Sequence, residues 1–207
     1  MTHRTKTIAL ATAFAIAGGA AIAHAAKKHD KDAAHAKQMA EVGKPAPNFT
    51  LTGYDGKTYE LSSYKDKIVV LEWFNKDCPV CQAYMGTMKD LYGKYNKKGI
   101  VWLAIDSTNN HNGKDNAEAA TEKKIAYPIL SDFDGTVGHE YGAKTTPHMF
   151  VINKGTLAYM GAVDDSNGKV GKGKKNYVSS ALDELLAGKD VSTTSTKSFG
   201  CSVKYKK

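Results

Sequence analysis

The sequence predicts an α/β domain in which a central mixed β-sheet is flanked by helices. Apolar, β-branched runs at residues 68–74 and 100–106 are typical of buried strands, and a segment of helical composition follows each of them. Two further strand-like runs on either side of Asn153-Lys154-Gly155 predict an antiparallel hairpin late in the chain. Parallel strands joined through helices, together with such a hairpin, form a layered α/β sheet.

Turn and helix-start signals place the remaining elements in chain order. The predicted strands are residues 48–52, 57–61, 68–74, 100–106, 127–132, 148–153 and 156–162, and the predicted helices are residues 78–95, 115–124, 135–141 and 176–186. An Asp55-Gly56 turn joins the first two strands. The connection at residues 107–113 is polar, so its histidine, His111, is expected at the surface.

The first 25 residues have the pattern of a signal peptide. Arg4 and Lys6 precede an alanine-rich apolar stretch that ends in Ala23-His24-Ala25, a small-residue cleavage motif. This stretch is short for a membrane span, although an uncleaved anchor remains an alternative. Export implies a compartment in which disulfides persist, such as a bacterial periplasm.

Composition divides the rest of the chain into three parts. They are a charged leader at residues 26–41, a folded domain at residues 42–188 and a basic tail with one cysteine at residues 189–207. The net charge is +8, and the tail contributes five lysines against one aspartate. Because so much of the charge lies in the tail, no nucleic-acid partner is predicted. No other stretch is apolar enough to span a bilayer, so no stable membrane insertion is expected after cleavage.

Cys78 and Cys81 are separated by two residues at the point where a buried strand gives way to a helix. The free backbone N–H groups and the dipole at a helix start stabilise a thiolate, and Pro79 suits the first helical position. Such a pair can close into a disulfide and reopen by exchange, with Cys78 attacking and Cys81 resolving. A purely structural disulfide between the two cysteines is an alternative interpretation. Zinc would need further ligands at suitable spacing, and Cys201 is the only other cysteine.

Three stretches together resemble the thioredoxin-like redoxins, also called the AhpC/TSA or peroxiredoxin-like family. They are the Cys78-Pro79-Val80-Cys81 motif with Glu72 six residues before Cys78, the later Thr145-Thr146-Pro147 loop, and the hairpin around Gly53-Tyr54-Asp55-Gly56-Lys57. The resemblance covers residues 42–188. It implies a thioredoxin fold with an N-terminal β-hairpin and a redoxin-type insertion after the second buried strand.

The same resemblance implies roles for individual residues. Cys78 and Cys81 would form the redox-active disulfide, Glu72 would relay a proton from beneath it, and Pro147 would be a cis-proline facing it. Substrate would contact Thr146, Trp73 and Pro79. No metal and no cofactor are predicted.

The predicted function is that of an exported thiol–disulfide oxidoreductase. It would act on a thiol or disulfide of a protein or small molecule, and an external thiol reductant or oxidant would reset it. A thiol-dependent peroxidase is the first alternative, although Asn75 replaces the threonine typical of that site and no arginine follows Arg4. A copper metallochaperone is the second alternative, with His139 or His148 as an additional ligand. Copper carriers of this fold, however, space their cysteines by three residues.

Cys201 is an odd cysteine in a chain predicted to be exported, and it therefore needs a partner or a role. The ending Gly200-Cys201-Ser202-Val203-Lys204 is similar to that of some redoxins, which favours a docked tail. The first interpretation makes Cys201 a further resolving thiol for the Cys78–Cys81 site. The alternative is an incidental exposed or intermolecular thiol.

Overall fold

The computed structural model describes residues 39–166, 169–170 and 172–206. The predicted signal peptide and nearly all of the predicted leader lie outside the described residues. The strands are β1 (Thr50–Gly53), β2 (Thr58–Glu60), β3 (Ile68–Trp73), β4 (Val101–Asp106), β5 (Ile129–Ser131), β6 (Thr145–Thr146), β7 (His148–Asn153), β8 (Thr156–Gly161) and β9 (Cys201–Ser202). The helices are α1 (Pro79–Asn96), α2 (Gly113–Glu122), α3 (Thr136–Glu140) and α4 (Tyr177–Leu186), with a 3-10 turn at Leu61–Tyr64.

Seven strands form one mixed sheet in the order β2-β1-β5-β4-β3-β7-β8. Strands β3, β4 and β5 run parallel, whereas β7 and β8 add an antiparallel hairpin on one side and β1 and β2 add another on the opposite side. The predicted mixed sheet with an N-terminal hairpin is therefore confirmed. Helix α2 lies in the connection between β4 and β5, which is where the insertion was expected.

The central strand β3 alternates between two apolar layers. Val70 and Phe74 belong to the layer that α1 and α4 cover, while Leu71 and Trp73 belong to the layer on the other sheet face. All four side chains are buried. Because successive residues of a strand point to opposite faces, Glu72 shares the face of Val70 and Phe74. The strand thereby places its one carboxylate on the side of the sheet that carries α1.

Helix α1 begins after a short connection, residues 74–78, that follows β3, and one apolar face packs it against the sheet. Its buried residues are Cys81, Tyr84, Met85, Met88, Leu91 and Tyr95, which recur at helical spacing. Pro79 occupies the first turn, where its missing N–H costs no hydrogen bond. Gly99, with φ of +82°, follows the end of the helix. No helix in the described part of the chain is long and apolar enough to cross a membrane.

Candidate active site

Cys78 is the N-cap residue of α1. Its backbone is extended, and its sulfur accepts a hydrogen bond from the Cys81 N–H at 3.5 Å. In the thiol form Cys78 donates to the Thr146 carbonyl oxygen, 3.0 Å away. The hydrogen bond from the Cys81 side chain is the main cause that lowers the pKa of Cys78 to about 4, with Cys201 and the helix N–H adding to it against the effect of burial. A thiolate at this position is therefore the stable form at neutral pH.

Cys81 lies one helical turn further on and is as buried as Cys78, with 3% of its surface exposed. The pKa of Cys81 is raised because its thiol donates to Cys78 and because burial disfavours its charge. The nearby Glu72 carboxylate acts in the same direction. The pair is thus polarised, with a nucleophilic outer sulfur and a protonated inner one. Both cysteines are free thiols in this structure.

Glu72 is buried on the sheet face that carries α1, where it accepts a hydrogen bond from the Trp102 indole N–H at 3.0 Å. Burial raises the pKa of Glu72 from 4.5 to about 7, and the bond from Trp102 only partly opposes this effect. A carboxyl group with a pKa near 7 can both take up and release a proton at neutral pH. The negative charge of Glu72 also contributes to the raised pKa of Cys81.

The loop that faces the cysteines carries the cis peptide bond Thr146–Pro147. Thr146 is 1% exposed, and its carbonyl oxygen is the group that contacts Cys78. Pro79 is exposed beside the site, at the start of α1. Trp73 is placed differently: it is fully buried on the opposite sheet face, where it packs against Tyr141 and donates to the Ser107 hydroxyl. Trp73 is therefore a core residue, and it offers no surface to the predicted substrate.

The basic tail lies against this loop. Strand β9 pairs with β6 in antiparallel register, with Cys201 opposite Thr146 and Ser202 opposite Thr145. Cys201 packs against the apolar cluster that contains Cys78 and Cys81, and the carbonyl of Thr146, the residue opposite it, contacts the Cys78 sulfur. The structure therefore brings all three cysteines of the chain to one helix N-terminus.

His111 is a residue whose role the sequence did not reveal. It was expected at the surface, and that expectation is wrong: it is buried between two carboxylates. Its Nδ1 lies 2.8 Å from Asp106 Oδ2 and its Nε2 lies 2.9 Å from Asp77 Oδ2. Asp77 directly precedes Cys78, and Asp106 is the last residue of β4. His111 therefore connects the residue before Cys78 to the end of β4. A polar loop without periodicity carries no signal that one of its side chains folds inward.

His111 is expected to stabilise the fold most strongly below neutral pH. The bond to Asp106 is the main cause that raises the pKa of His111 above 6.5. The stabilisation is therefore complete below pH 6.5 and is lost as the pH rises through the folded-state pKa. Replacing His111 by glutamine leaves the Asp106 carboxylate buried without a cation and should lower the free energy of unfolding by about 3 kcal/mol at pH 6.

Urea unfolding of the His111→Gln variant at pH 6 and at pH 9 checks this expectation, and the loss should be smaller at pH 9. The matched control is Lys114→Gln, because the Lys114 side chain is 85% exposed. This substitution should change the free energy of unfolding negligibly at both pH values. An equal loss at both pH values for His111→Gln would mean that the histidine is neutral in the folded protein.

Among the described residues, no group of three or more His, Cys, Asp or Glu side chains is arranged to hold a metal ion. His148, a candidate copper ligand, is buried, and its Nδ1 accepts a hydrogen bond from the Lys144 N–H at 3.3 Å. Burial lowers the pKa of His148 to about 4, so this ring is neutral. His139, the other candidate, stacks on Tyr205 with ring centroids 4.1 Å apart.

The chain is similar in sequence to a known protein family and to oxidoreductases within it. The model of the AhpC/TSA family matches residues 42–160. The thiol–disulfide oxidoreductase ResA of Bacillus thuringiensis subsp. konkukian is 33% identical over 118 residues, which are 57% of this chain and 67% of the relative. ResA of Geobacillus thermodenitrificans is 33% identical over 119 residues, with the same coverage of both chains.

Solved structures extend the likeness beyond the matched segment. An uncharacterized conserved protein of Geobacillus kaustophilus has 29% identity and a TM-score of 0.75, over 81% of this chain and 94% of that one. A hypothetical protein of Sinorhizobium meliloti has 27% identity and a TM-score of 0.72, over 80% and 95%. The thioredoxin domain of a Bacteroides vulgatus thiol–disulfide oxidoreductase shares the fold alone, at 20% identity, a TM-score of 0.52 and 58% and 87% coverage.

Proposed function

The chain belongs to the AhpC/TSA family and is a thiol–disulfide oxidoreductase; we propose that it works outside the cytoplasm, by exchange between a substrate disulfide and the Cys78–Cys81 pair. The observation that carries the proposed exchange chemistry is the position of the Cys78 sulfur at the start of α1, where it accepts a hydrogen bond from the Cys81 N–H at 3.5 Å. A helix start stabilises the thiolate that attacks and departs in exchange chemistry.

The first step is attack of the Cys78 thiolate on a substrate disulfide. The substrate S–S bond breaks, a mixed disulfide with Cys78 forms, and the released substrate thiolate takes up a proton. In the second step Cys81 gives its proton to the Glu72 carboxylate and attacks the Cys78 sulfur. The second substrate thiolate leaves, and the Cys78–Cys81 disulfide remains. An external dithiol reverses these steps on the enzyme, and the opposite direction of the cycle would oxidise substrate thiols.

The test of this proposal is equilibration of the protein with mixtures of reduced and oxidised glutathione, followed by acid quenching and alkylation of free thiols. We expect a Cys78–Cys81 disulfide whose fraction follows the glutathione ratio. A pair that stays reduced throughout, or a disulfide that never reopens under reducing conditions, would exclude exchange as the function.

Glu72 supports the second step because its carboxylate can take the proton of the buried Cys81 thiol. Glu72→Gln should lower the rate at which Cys81 resolves a glutathione mixed disulfide by about a hundredfold at pH 8. At pH 6, below the pKa of about 7, wild-type Glu72 is mostly protonated, so the difference between the two proteins should narrow. Rapid quenching and mass spectrometry of the mixed disulfide measure both rates.

A stability measurement separates this effect from damage to the fold. The pKa of Glu72 is raised from 4.5 to about 7, so its stabilising effect is complete below pH 4.5 and is lost as the pH rises through 7. The free energy of unfolding of the wild type should thus fall by about 3 kcal/mol relative to that of Glu72→Gln between pH 4 and pH 8. A variant that is less stable than wild type at pH 8, with an unchanged rate profile, would contradict a proton-relay role.

Peroxidase chemistry finds less support at the same site. Asn75 occupies the position of the threonine that such sites carry, and both ends of its amide are engaged elsewhere. Its Nδ2 donates to Thr108 Oγ1 at 2.9 Å and its Oδ1 accepts from the Asp77 N–H at 2.7 Å. The sequence has no arginine after Arg4, and a lysine offers only a point charge in its place.

The proposal that the enzyme is exported rests on the signal-peptide pattern of the first 25 residues. N-terminal sequencing of the protein from the periplasmic fraction of an expressing bacterium tests it. A mature protein that begins at Ala26 is expected, and an intact Met1 in the soluble cytoplasmic fraction would refute export.

A further inference from the structure

The tail is attached to the domain on both sides of the active site. Upstream of Cys201 it lies along the edge strand β8, where the Met160 N–H donates to the Thr194 carbonyl at 3.1 Å and the Thr196 N–H donates to the Met160 carbonyl at 3.1 Å. The Thr196 hydroxyl also accepts from the Ala162 N–H at 2.9 Å. This attachment covers part of the sheet edge and directs the chain toward the cis-proline loop.

Downstream of Cys201 the tail is held by Tyr205. Its ring stacks on His139, and its hydroxyl donates to the Ala143 carbonyl at 2.8 Å. The ring fills the space that a Cβ would take at Gly138, so the small residue in α3 makes room for it. The Asn109 N–H adds a bond to the Lys204 carbonyl at 2.9 Å. Two separate attachments thus hold the segment between them across the active site.

That segment docks as a β-strand on the cis-proline loop. Besides the register of Cys201 with Thr146, the Val203 N–H donates to the Lys144 carbonyl at 3.1 Å. Gly200 lies so close to the loop that a Cβ there would overlap the Thr146 carbonyl group, and its φ of +156° also favours glycine. Backbone pairing of this kind is how an extended polypeptide adds to an exposed strand.

Docking places the Cys201 sulfur beside the reactive sulfur. The Cys78 sulfur is 3.0 Å from the carbonyl oxygen of Thr146, and Cys201 is the residue paired with Thr146. Cys201 also packs against the apolar cluster that contains Cys78 and Cys81. Cys78 is only 3% exposed, whereas an attacking thiolate has to meet its substrate. In this structure Cys78 is covered by its own chain, through the Thr146 carbonyl and the docked segment that carries Cys201.

We propose that Cys201 is a third redox cysteine, which exchanges within the chain to form a Cys78–Cys201 disulfide from a docked tail. This proposal takes one element from the proposed function, namely that the Cys78 sulfur is reactive in disulfide exchange. The Cys201 thiolate attacks the Cys78 sulfur of the Cys78–Cys81 disulfide, the bond to Cys81 breaks, and the Cys81 thiolate takes up the proton that Cys201 lost. One S–S bond replaces another, so no external oxidant or reductant is consumed.

The oxidised enzyme therefore exists as two disulfide isomers. In the Cys78–Cys81 isomer the tail can leave the loop and a substrate polypeptide can take its place on β6. In the Cys78–Cys201 isomer the tail is bonded over the loop, and Cys81 is the free thiol that can restore the first isomer. The tail thus acts as a built-in substrate polypeptide that competes with external ones.

The test uses the full chain carrying Cys81→Ser, in which Cys78 has two possible partners. The protein is equilibrated with oxidised and reduced glutathione, quenched in acid, alkylated, digested and mapped by mass spectrometry. We expect a peptide linking Cys78 to Cys201 to exceed the glutathione adduct of Cys78, because docking gives Cys201 a high effective concentration. Wild type under the same conditions should contain both the Cys78–Cys81 and the Cys78–Cys201 peptides.

Two further variants in the Cys81→Ser background separate docking from chance collision. Gly200→Val should lower the ratio of linked peptide to glutathione adduct by about tenfold or more, since the new side chain pushes the tail off Thr146. Its matched control is Ser202→Val, which puts the same side chain on the exposed face of β9 and should leave the ratio unchanged. Moving the thiol by one residue, with Cys201→Ser and Ser202→Cys together, should remove the link because neighbouring residues of a strand face opposite ways.

The outcomes distinguish this proposal from the proposed function. A Cys78–Cys81 pair that exchanges with glutathione, without any Cys78–Cys201 peptide in wild type or in Cys81→Ser, would overturn the role of Cys201 alone. A ratio that Gly200→Val leaves unchanged would overturn docking as its cause. A Cys78–Cys201 link in a protein that never exchanges a Cys78–Cys81 disulfide with glutathione would leave Cys201 in its role and refute the proposed function.

Discussion

Replacing Cys78 by serine is expected to lower the rate of disulfide exchange by about a thousandfold or more, because a hydroxyl is not ionised where the thiolate is. Cys81→Ser should behave differently. The outer thiolate still attacks in that variant, so the first half of the reaction proceeds at close to the wild-type rate. Once Cys201 is also replaced by serine, the reaction should stop at a mixed disulfide on Cys78. The measurement is reduction of a disulfide-linked peptide, with mass spectrometry of the enzyme during the first turnover.

The comparison of these two variants assigns the roles of the sulfurs. For the mixed disulfide to accumulate on a peptide, Cys201 has to be absent as well, so the trapping variant is Cys81→Ser with Cys201→Ser. Cys201→Ser alone serves as the control, and it should retain exchange. If Cys78→Ser stays active and Cys81→Ser does not, the inner sulfur is the attacking one and the assignment from the helix N-cap is reversed.

The second large effect concerns the reduction potential of the Cys78–Cys81 pair. The pKa of Cys78 is lowered to about 4, and the corresponding value in thioredoxin is about 7. Three pKa units correspond to about 4 kcal/mol of thiolate stabilisation at neutral pH. Since a stabilised thiolate favours the reduced form, we expect the potential to be higher by about 90 mV, at about −180 mV instead of about −270 mV as in thioredoxin. The pair is then expected to be a better oxidant than thioredoxin, by about a thousandfold in the exchange equilibrium.

Glutathione equilibration of the Cys201→Ser variant measures this potential without interference from the third thiol. Serine keeps a hydrogen-bond donor beside Cys78, so the thiolate retains a group that stabilises it. Cys201→Ala removes that donor and should move the potential toward more negative values. A potential near −270 mV for Cys201→Ser would mean that the helix start and its neighbours stabilise Cys78 no more than thioredoxin stabilises its own cysteine.

Patterns that are local in the chain were sufficient to predict most of the fold. The β-branched run of β3 followed by Cys78-Pro79 marks a strand that ends at a helix, because burial and the missing proline N–H each act within a few residues. The apolar face of α1 and the hairpin of β7 and β8 follow from spacing and turn residues in the same way. The reactive pair was identifiable for this reason: its chemistry depends on a helix start that the neighbouring residues themselves create.

The tertiary structure decided the contacts between residues that are distant in the chain. His111 and Trp73 show this in opposite ways. His111 is a polar loop residue that is buried because it bonds to Asp77 and Asp106. Trp73 was expected to contact substrate, and it lies fully buried on the sheet face opposite α1. The tail lies between these cases: its ending favoured docking by resemblance, whereas its register on Thr146, which joins residues far apart in the sequence, is visible only in the structure. The sequence by itself determined which residues are reactive, whereas packing decided which of them meet, because long-range pairing depends on shape and burial that no local pattern encodes.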